Sequence, residues 1–110
     1  MTELTNQNCA ACDRQVPALT DDQITVLLAE LDTGWVYDSN TQTLTREFVF
    51  KGFAKAVYMA NLVAFISDKE GHHADIQFGW GYCRVIYTSH ELGRLSENDF
   101  ICAAKLDAML

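Results

Sequence analysis

All three histidines of this chain fall in one short stretch: His72 and His73 stand side by side and His90 follows two strand-like runs, with Asp68 before them and Asp99 after. Histidine is the side chain whose unperturbed pKa lies nearest neutrality, so such a cluster flanked by carboxylates points to acid/base chemistry or metal ligation. Adjacent His72 and His73 project in different directions, which disfavours one ion held by both. Cys9-Ala10-Ala11-Cys12 is a second candidate, a CxxC pair. A structural zinc site normally takes four ligands, usually from two such pairs, and neither a second CxxC nor an HxxxH follows. As a redox motif it lacks the strand-to-helix setting of thioredoxin-like pairs.

These residues need elements to hold them. Met1 to Leu19 is polar without a sustained period and reads as an arm. From Thr20 a capping-box pattern with Gln23, acidic Asp21 and Asp22, and apolar Ile24, Leu27, Leu28 and Leu31 predict a helix that Gly34 ends. Trp35 to Tyr37, a turn at Asp38-Ser39-Asn40, and an alternating Thr43 to Phe50 predict a β-hairpin, with Leu44, Arg46, Phe48 and Phe50 on one face. Phe53, Ala56, Val57, Ala60 and Ala64 recur at helical spacing up to Gly71, so a second helix delivers Asp68 and the His pair to its C-terminal end. Asp68, one turn before His72, is close enough to orient an imidazole. Asp75 to Trp80 and Cys83 to Ser89 form a second hairpin that carries His90 at its exit. A last helix follows the cap at Ser96, with Phe100, Ala103 and Ala104 as its apolar stripe. Asp99, at the third position of that helix, has backbone donors to satisfy there beside any chemical role. The order αββαββα predicts an α+β fold: a four-stranded antiparallel sheet with three helices packed on one face, residues 1–19 an arm and 20–110 a single domain.

The chain is 110 residues long and 49% hydrophobic, enough for one core without staples. Eight basic against fifteen acidic residues give a net charge of -7, which repels phosphate backbones and anionic lipid heads. Nucleic acid and membrane are therefore not expected as partners. With no basic-then-apolar leader and no apolar run approaching about 20 residues, the expected location is the cytoplasm. Cys9, Cys12, Cys83 and Cys102 are read as reduced thiols. The aromatic and Met residues Phe53, Tyr58, Met59 and Phe65 are expected in a core or an interface.

Asp68, three residues, His72-His73, then Trp80, nine residues, His90, eight residues and Asp99 resembles the signature of the pterin-4a-carbinolamine dehydratase family. Leu19-Thr20, Gly34-Trp35, Phe48-Val49-Phe50, Glu70-Gly71-His72-His73, Thr88-Ser89-His90 and Leu95-Ser96-Glu97-Asn98-Asp99 extend the likeness from Leu19 to the C-terminus. Where the family usually has Pro after the His pair, this chain has Ala74. The resemblance implies dehydration of 4a-hydroxytetrahydropterin to quinonoid dihydropterin, with a functional link to pterin-dependent aromatic amino-acid hydroxylases. It implies His72 and His90 in acid/base work, His73 in binding and support of the substrate, and Asp68, Ser89 and Asp99 around the pterin. Imidazoles serve both proton-transfer roles near neutrality, so neither metal nor organic cofactor is expected. A homodimer or homotetramer built partly through strands is also implied. The alternative from another class is an interaction protein, since some family members act as dimerisation cofactors for a transcription factor.

Overall fold

The computed structural model describes residues 4–10 and 16–110. After one 3-10 turn at Leu4–Asn6 come α1 (Asp21–Leu28), β1 (Val36–Asp38), β2 (Thr43–Val49), α2 (Ala54–Glu70), β3 (Asp75–Gly79), β4 (Tyr82–Tyr87) and α3 (Glu97–Ala108). The fold is α+β in the order αββαββα. The two hairpins join through their second strands, giving the sheet order β1-β2-β4-β3 with every pair antiparallel. Alternation along the strands separates two faces. Leu44, Cys83, Val85 and Tyr87 are fully buried on the covered one. On the other, Val49 pairs with Tyr82, and Glu47 meets Arg84 at 2.7 Å.

α1 begins as expected, with the Thr20 hydroxyl accepting from the Gln23 amide and the Gln23 side chain returning the bond. It ends earlier than Gly34. After Leu28 the chain tightens into i→i+3 turns, with Glu30 N–H donating to Leu27 and Leu31 N–H to Leu28, and these carry Leu31 into the core outside the regular helix. Gly34 instead lies in an Asp32-centred turn against Arg46, where an added Cβ would sit 3.0 Å from the guanidinium Nε.

The buried stripe of α2 also differs from the periodic reading. Ala56, Ala60, Val63, Ile66 and Ser67 face inward, while Phe53 and Ala64 are exposed and Val57 is half-buried. In so alanine-rich a helix several rotations bury similar apolar area, and packing on β3, β4 and α3 selects one. α3 is buried more completely than a stripe, from Asn98 to Ala104 and again at Leu106. Its last turn offers Asp107 to three partners: Arg46 at 2.6 Å, the Trp35 indole N–H at 2.8 Å and the Asp32 amide at 2.9 Å. The arm is packed on α3 as well. Leu4 is buried, the Cys9 amide donates to Glu70 Oε1, and the Asn98 side chain exchanges two hydrogen bonds with the Ala10 backbone. No helix among the described residues is long and apolar enough to cross a membrane.

Candidate active site

α2 stops at Gly71, whose backbone takes the left-handed conformation (φ 68°, ψ 24°) that glycine adopts without cost. Gly71 N–H donates to Asp68 and His72 N–H to Ser67, a Schellman closure that turns the chain sharply and sends the next two side chains opposite ways. His72 goes inward and is 5% exposed, whereas the His73 side chain is 66% exposed.

Behind His72 lies a closed polar network. Its Nε2 is 2.6 Å from Asp99 Oδ1, and Asp99 Oδ2 accepts from the Ser89 hydroxyl at 2.9 Å and the Ser96 backbone N–H at 2.9 Å. The Ser96 hydroxyl lies 2.6 Å from Ser89 Oγ; with the Ser89 proton committed to the carboxylate, Ser96 is the donor there. Asp99, Ser89 and Ser96 are entirely buried. One face of the imidazole stacks on Tyr87, centroids 6.0 Å apart and planes 9° from parallel, and the Tyr87 hydroxyl shares a 2.8 Å hydrogen bond with Ser67. Burial pushes the Tyr87 phenol well above its usual range, so it stays a neutral spacer. With Nε2 held by Asp99, Nδ1 is the ring nitrogen left for a ligand.

The other residues singled out in the sequence sit nearer the surface. Asp68 meets His73 at 3.4 Å, rather than His72, because the Gly71 turn swings His72 away from the outer face of α2. His90 stands in the turn that leaves β4, its Nε2 3.7 Å from Asp75 on the neighbouring strand. A cleft of about 160 Å³ lined by Gly71, His72, His73, Thr88, His90 and Glu91 brings the three histidines together. His73 also lines an adjoining cavity of about 540 Å³, with Asn61, Phe65, Asp68, Ala74 and Ile76. A cavity of about 600 Å³ between the arm, α1 and α3 contains no histidine. Trp80 is exposed in the β3–β4 turn, at the end of β4 opposite Ser89 and His90.

Tyr87 and Glu91 complete this region without having been marked by sequence, and Thr88 joins it from the Thr88-Ser89-His90 run. Tyr87 carries a readable signal, since it continues the inward alternation of Cys83 and Val85 and ends two residues before Ser89. Among the described residues no three His, Cys, Asp or Glu side chains are grouped as metal ligands would be. Cys12, the second cysteine of the CxxC, lies outside the described residues.

Comparison with known proteins agrees with the sequence likeness. The model of the family described as pterin 4 alpha carbinolamine dehydratase matches residues 17–109. A protein of Nitrosospira multiformis, provisionally named a pterin-4-alpha-carbinolamine dehydratase, is 44% identical over 97% of this chain and 92% of its own. One of the same name from Legionella pneumophila is 38% identical over 99% and 96%. Among solved structures, a transcriptional coactivator/pterin dehydratase from Brucella melitensis superposes with a TM-score of 0.77 at 27% identity, over 84% of this chain and 98% of that one. A pterin dehydratase-like protein described as a RuBisCO assembly factor in the alpha-carboxysome gives a TM-score of 0.57 at 25% identity, over 69% and 88%. The chain belongs to the pterin-4a-carbinolamine dehydratase family, an enzyme family of hydro-lyases.

Proposed function

We propose that this protein dehydrates 4a-hydroxytetrahydropterin to quinonoid dihydropterin by histidine acid/base catalysis, with residues 20–110 as the catalytic domain and 1–19 as its arm. The observation that carries the reading is the convergence of His72, His73 and His90 on one cleft, with His72 oriented from behind by buried Asp99.

Hydroxide leaves poorly, so one imidazole protonates the 4a-hydroxyl and water departs as the adjacent ring nitrogen donates its lone pair into a new double bond. A second imidazole takes the proton that this nitrogen releases, leaving the enzyme with as many protons as it began with. His72 and His90 fill these two roles. His72 works from a fixed orientation against Asp99, and His90 from an exposed turn beside Asp75. His73 and Asp68, at the junction of the cleft and the larger cavity, bind the polar edge of the pterin. Ser89 and Asp99 are too deeply buried to meet the ring directly and serve it through His72. Because the substrate arises in pterin-dependent aromatic amino-acid hydroxylases, the reaction returns their cofactor to its cycle.

The test is stopped-flow dehydration of authentic 4a-hydroxytetrahydropterin. His72→Ala and His90→Ala each lower kcat by a sizeable part of about 10²–10⁴-fold, and His73→Ala acts more on KM. Groups that serve one proton-transfer sequence are non-additive, so the double substitution of His72 and His90 costs less than the product of the single losses. Chelator leaves the rate unchanged. Wild-type rates in the single variants would sink the histidine assignment, whereas no dehydration by the wild-type protein would favour an interaction role, of the kind that the names coactivator and assembly factor give to the two solved neighbours.

A further inference from the structure

The arm and α3 hold a pair of thiols for which the dehydration has no use. Cys9 Sγ lies 3.6 Å from Cys102 Sγ, although the two residues are 93 positions apart in the chain. Both are free thiols, Cys9 half-buried and Cys102 fully buried. Their juxtaposition is held by groups other than the sulfurs. Glu70 Oε1 accepts the Cys9 amide at 2.9 Å, and the Asn98 side chain binds the Ala10 backbone in both directions at 3.0 and 2.8 Å. A disulfide spans about 2.05 Å, so the sulfurs need to close by only about 1.5 Å from where the backbone already places them. Cys102 Sγ also lies 3.8 Å from the His72 carbonyl, which puts the pair directly behind the buried histidine.

We propose that Cys9 and Cys102 are an oxidative modification site: a thiol pair that a peroxide converts to a disulfide, stapling the N-terminal arm to α3 behind His72. Cys9, the more accessible member, attacks one oxygen of hydrogen peroxide; the O–O bond breaks, the thiol proton leaves with the other oxygen as water, and Cys9 becomes a sulfenic acid. The Cys102 sulfur then attacks the Cys9 sulfur, the S–O bond breaks, and the departing hydroxide takes the Cys102 proton as a second water. Two thiols lose two electrons and one peroxide gains them. The hydrogen bond with Cys102, burial and the Glu70 carboxylate push the Cys9 thiol well above its usual range, with Lys105 acting in the opposite sense. A raised thiol keeps the thiolate scarce and so slows the first attack on peroxide, which makes the closeness of the two sulfurs the feature that favours the cross-link. The inference rests on thiol geometry and is independent of the reaction assigned above.

The experiment treats the full-length protein with hydrogen peroxide, blocks remaining thiols with N-ethylmaleimide, and maps non-reduced proteolytic fragments by mass spectrometry. The expected result is a Cys9–Cys102 cross-link within one chain, formed in wild type and in Cys12→Ser, absent in Cys102→Ser, and removed by dithiothreitol. Closing so long a loop also raises Tm by several degrees, reversibly. A Cys9–Cys12 disulfide, cross-links only between chains, or no disulfide at Cys102 overturns the site. An unmoved Tm in cross-linked protein overturns the stapling. Wild type and Cys12→Ser decide the matter even if Cys102→Ser does not fold.

Discussion

Asp99 does two jobs with one carboxylate, accepting the Ser96 N–H at the start of α3 and holding His72 Nε2. The two jobs separate under substitution. Asp99→Ala leaves the Ser96 amide, the Ser89 hydroxyl and the His72 ring without their buried partner, so a loss of about 3–5 kcal/mol is expected in urea denaturation. Asp99→Asn keeps the volume and part of the capping, but an amide can accept from His72 through only one atom and donates from the other. It therefore disturbs which imidazole nitrogen carries the proton. Its kcat should fall by about 10²-fold or more while the fold persists; an unchanged kcat would show that Asp99 serves α3 alone. At this scale the sequence revealed residue types, spacing and the divergence of the His pair, but not which partner each side chain would meet. His72, His73 and His90 could be marked as a group because no other histidines compete. The Gly71 stop is local, but that Asp68 would meet His73 and Asp99 would meet His72 depends also on where the chain goes after that turn and on where α3 lies, which are tertiary.

The elements that carry these residues are fastened at a few points whose removal has distinct signatures. Gly71 is one. Gly71→Ala forces a Cβ into the left-handed region at a cost of about 1–2 kcal/mol, and any relaxation of that turn moves His72 off Asp99, so stability and kcat fall together. Glu70, one residue earlier, ties the end of α2 to α3 through Lys105 Nζ at 2.6 Å and to the arm through the Cys9 amide. Burial alone would raise its pKa, but these donors outweigh it and hold the carboxyl below its ordinary value. A carboxylate lowered on folding contributes stability that is present above its unfolded pKa and is lost as the pH falls through the folded one. Wild type should therefore exceed Glu70→Gln by about 1–3 kcal/mol at neutral pH, with the gap closing below the ordinary glutamate pKa of about 4.3. A gap that stays constant with pH would mean that the Glu70 charge is not what holds the arm. Element existence was legible because caps and hairpin turns are local, the Thr20–Gln23 box and the Gly71 stop above all. The inward face of α2 was not, because its alanines leave rotation about the axis to the tertiary partners.

At the scale of the whole molecule, folding leaves surface that one copy cannot cover. Tyr58 and Phe65 on α2 and Phe53 at its N-cap are exposed, and Phe78 on β3 is 45% exposed with its ring 6.4 Å from that of Phe53. The sequence pattern assigned the α2 aromatics to a core or an interface, and a single copy puts them in no core. β1 and β3 are the sheet edges, and neither contains lysine, proline or another of the usual guards against strand pairing beyond one aspartate each. A net charge of -7 opposes indiscriminate association, so edge and aromatic surface should find a partner only in a geometry that separates the carboxylates. A closed homo-oligomer meets that condition, because symmetry repeats one complementary contact and then stops. Light scattering at micromolar concentration is expected to give a dimer or tetramer mass, and Phe78→Glu, which sets a charge at the junction of β3 and α2, is expected to shift it toward monomer while leaving far-UV circular dichroism unchanged. A wild-type monomer across that range would mean that the exposed aromatics of α2 and β3 serve something other than self-association.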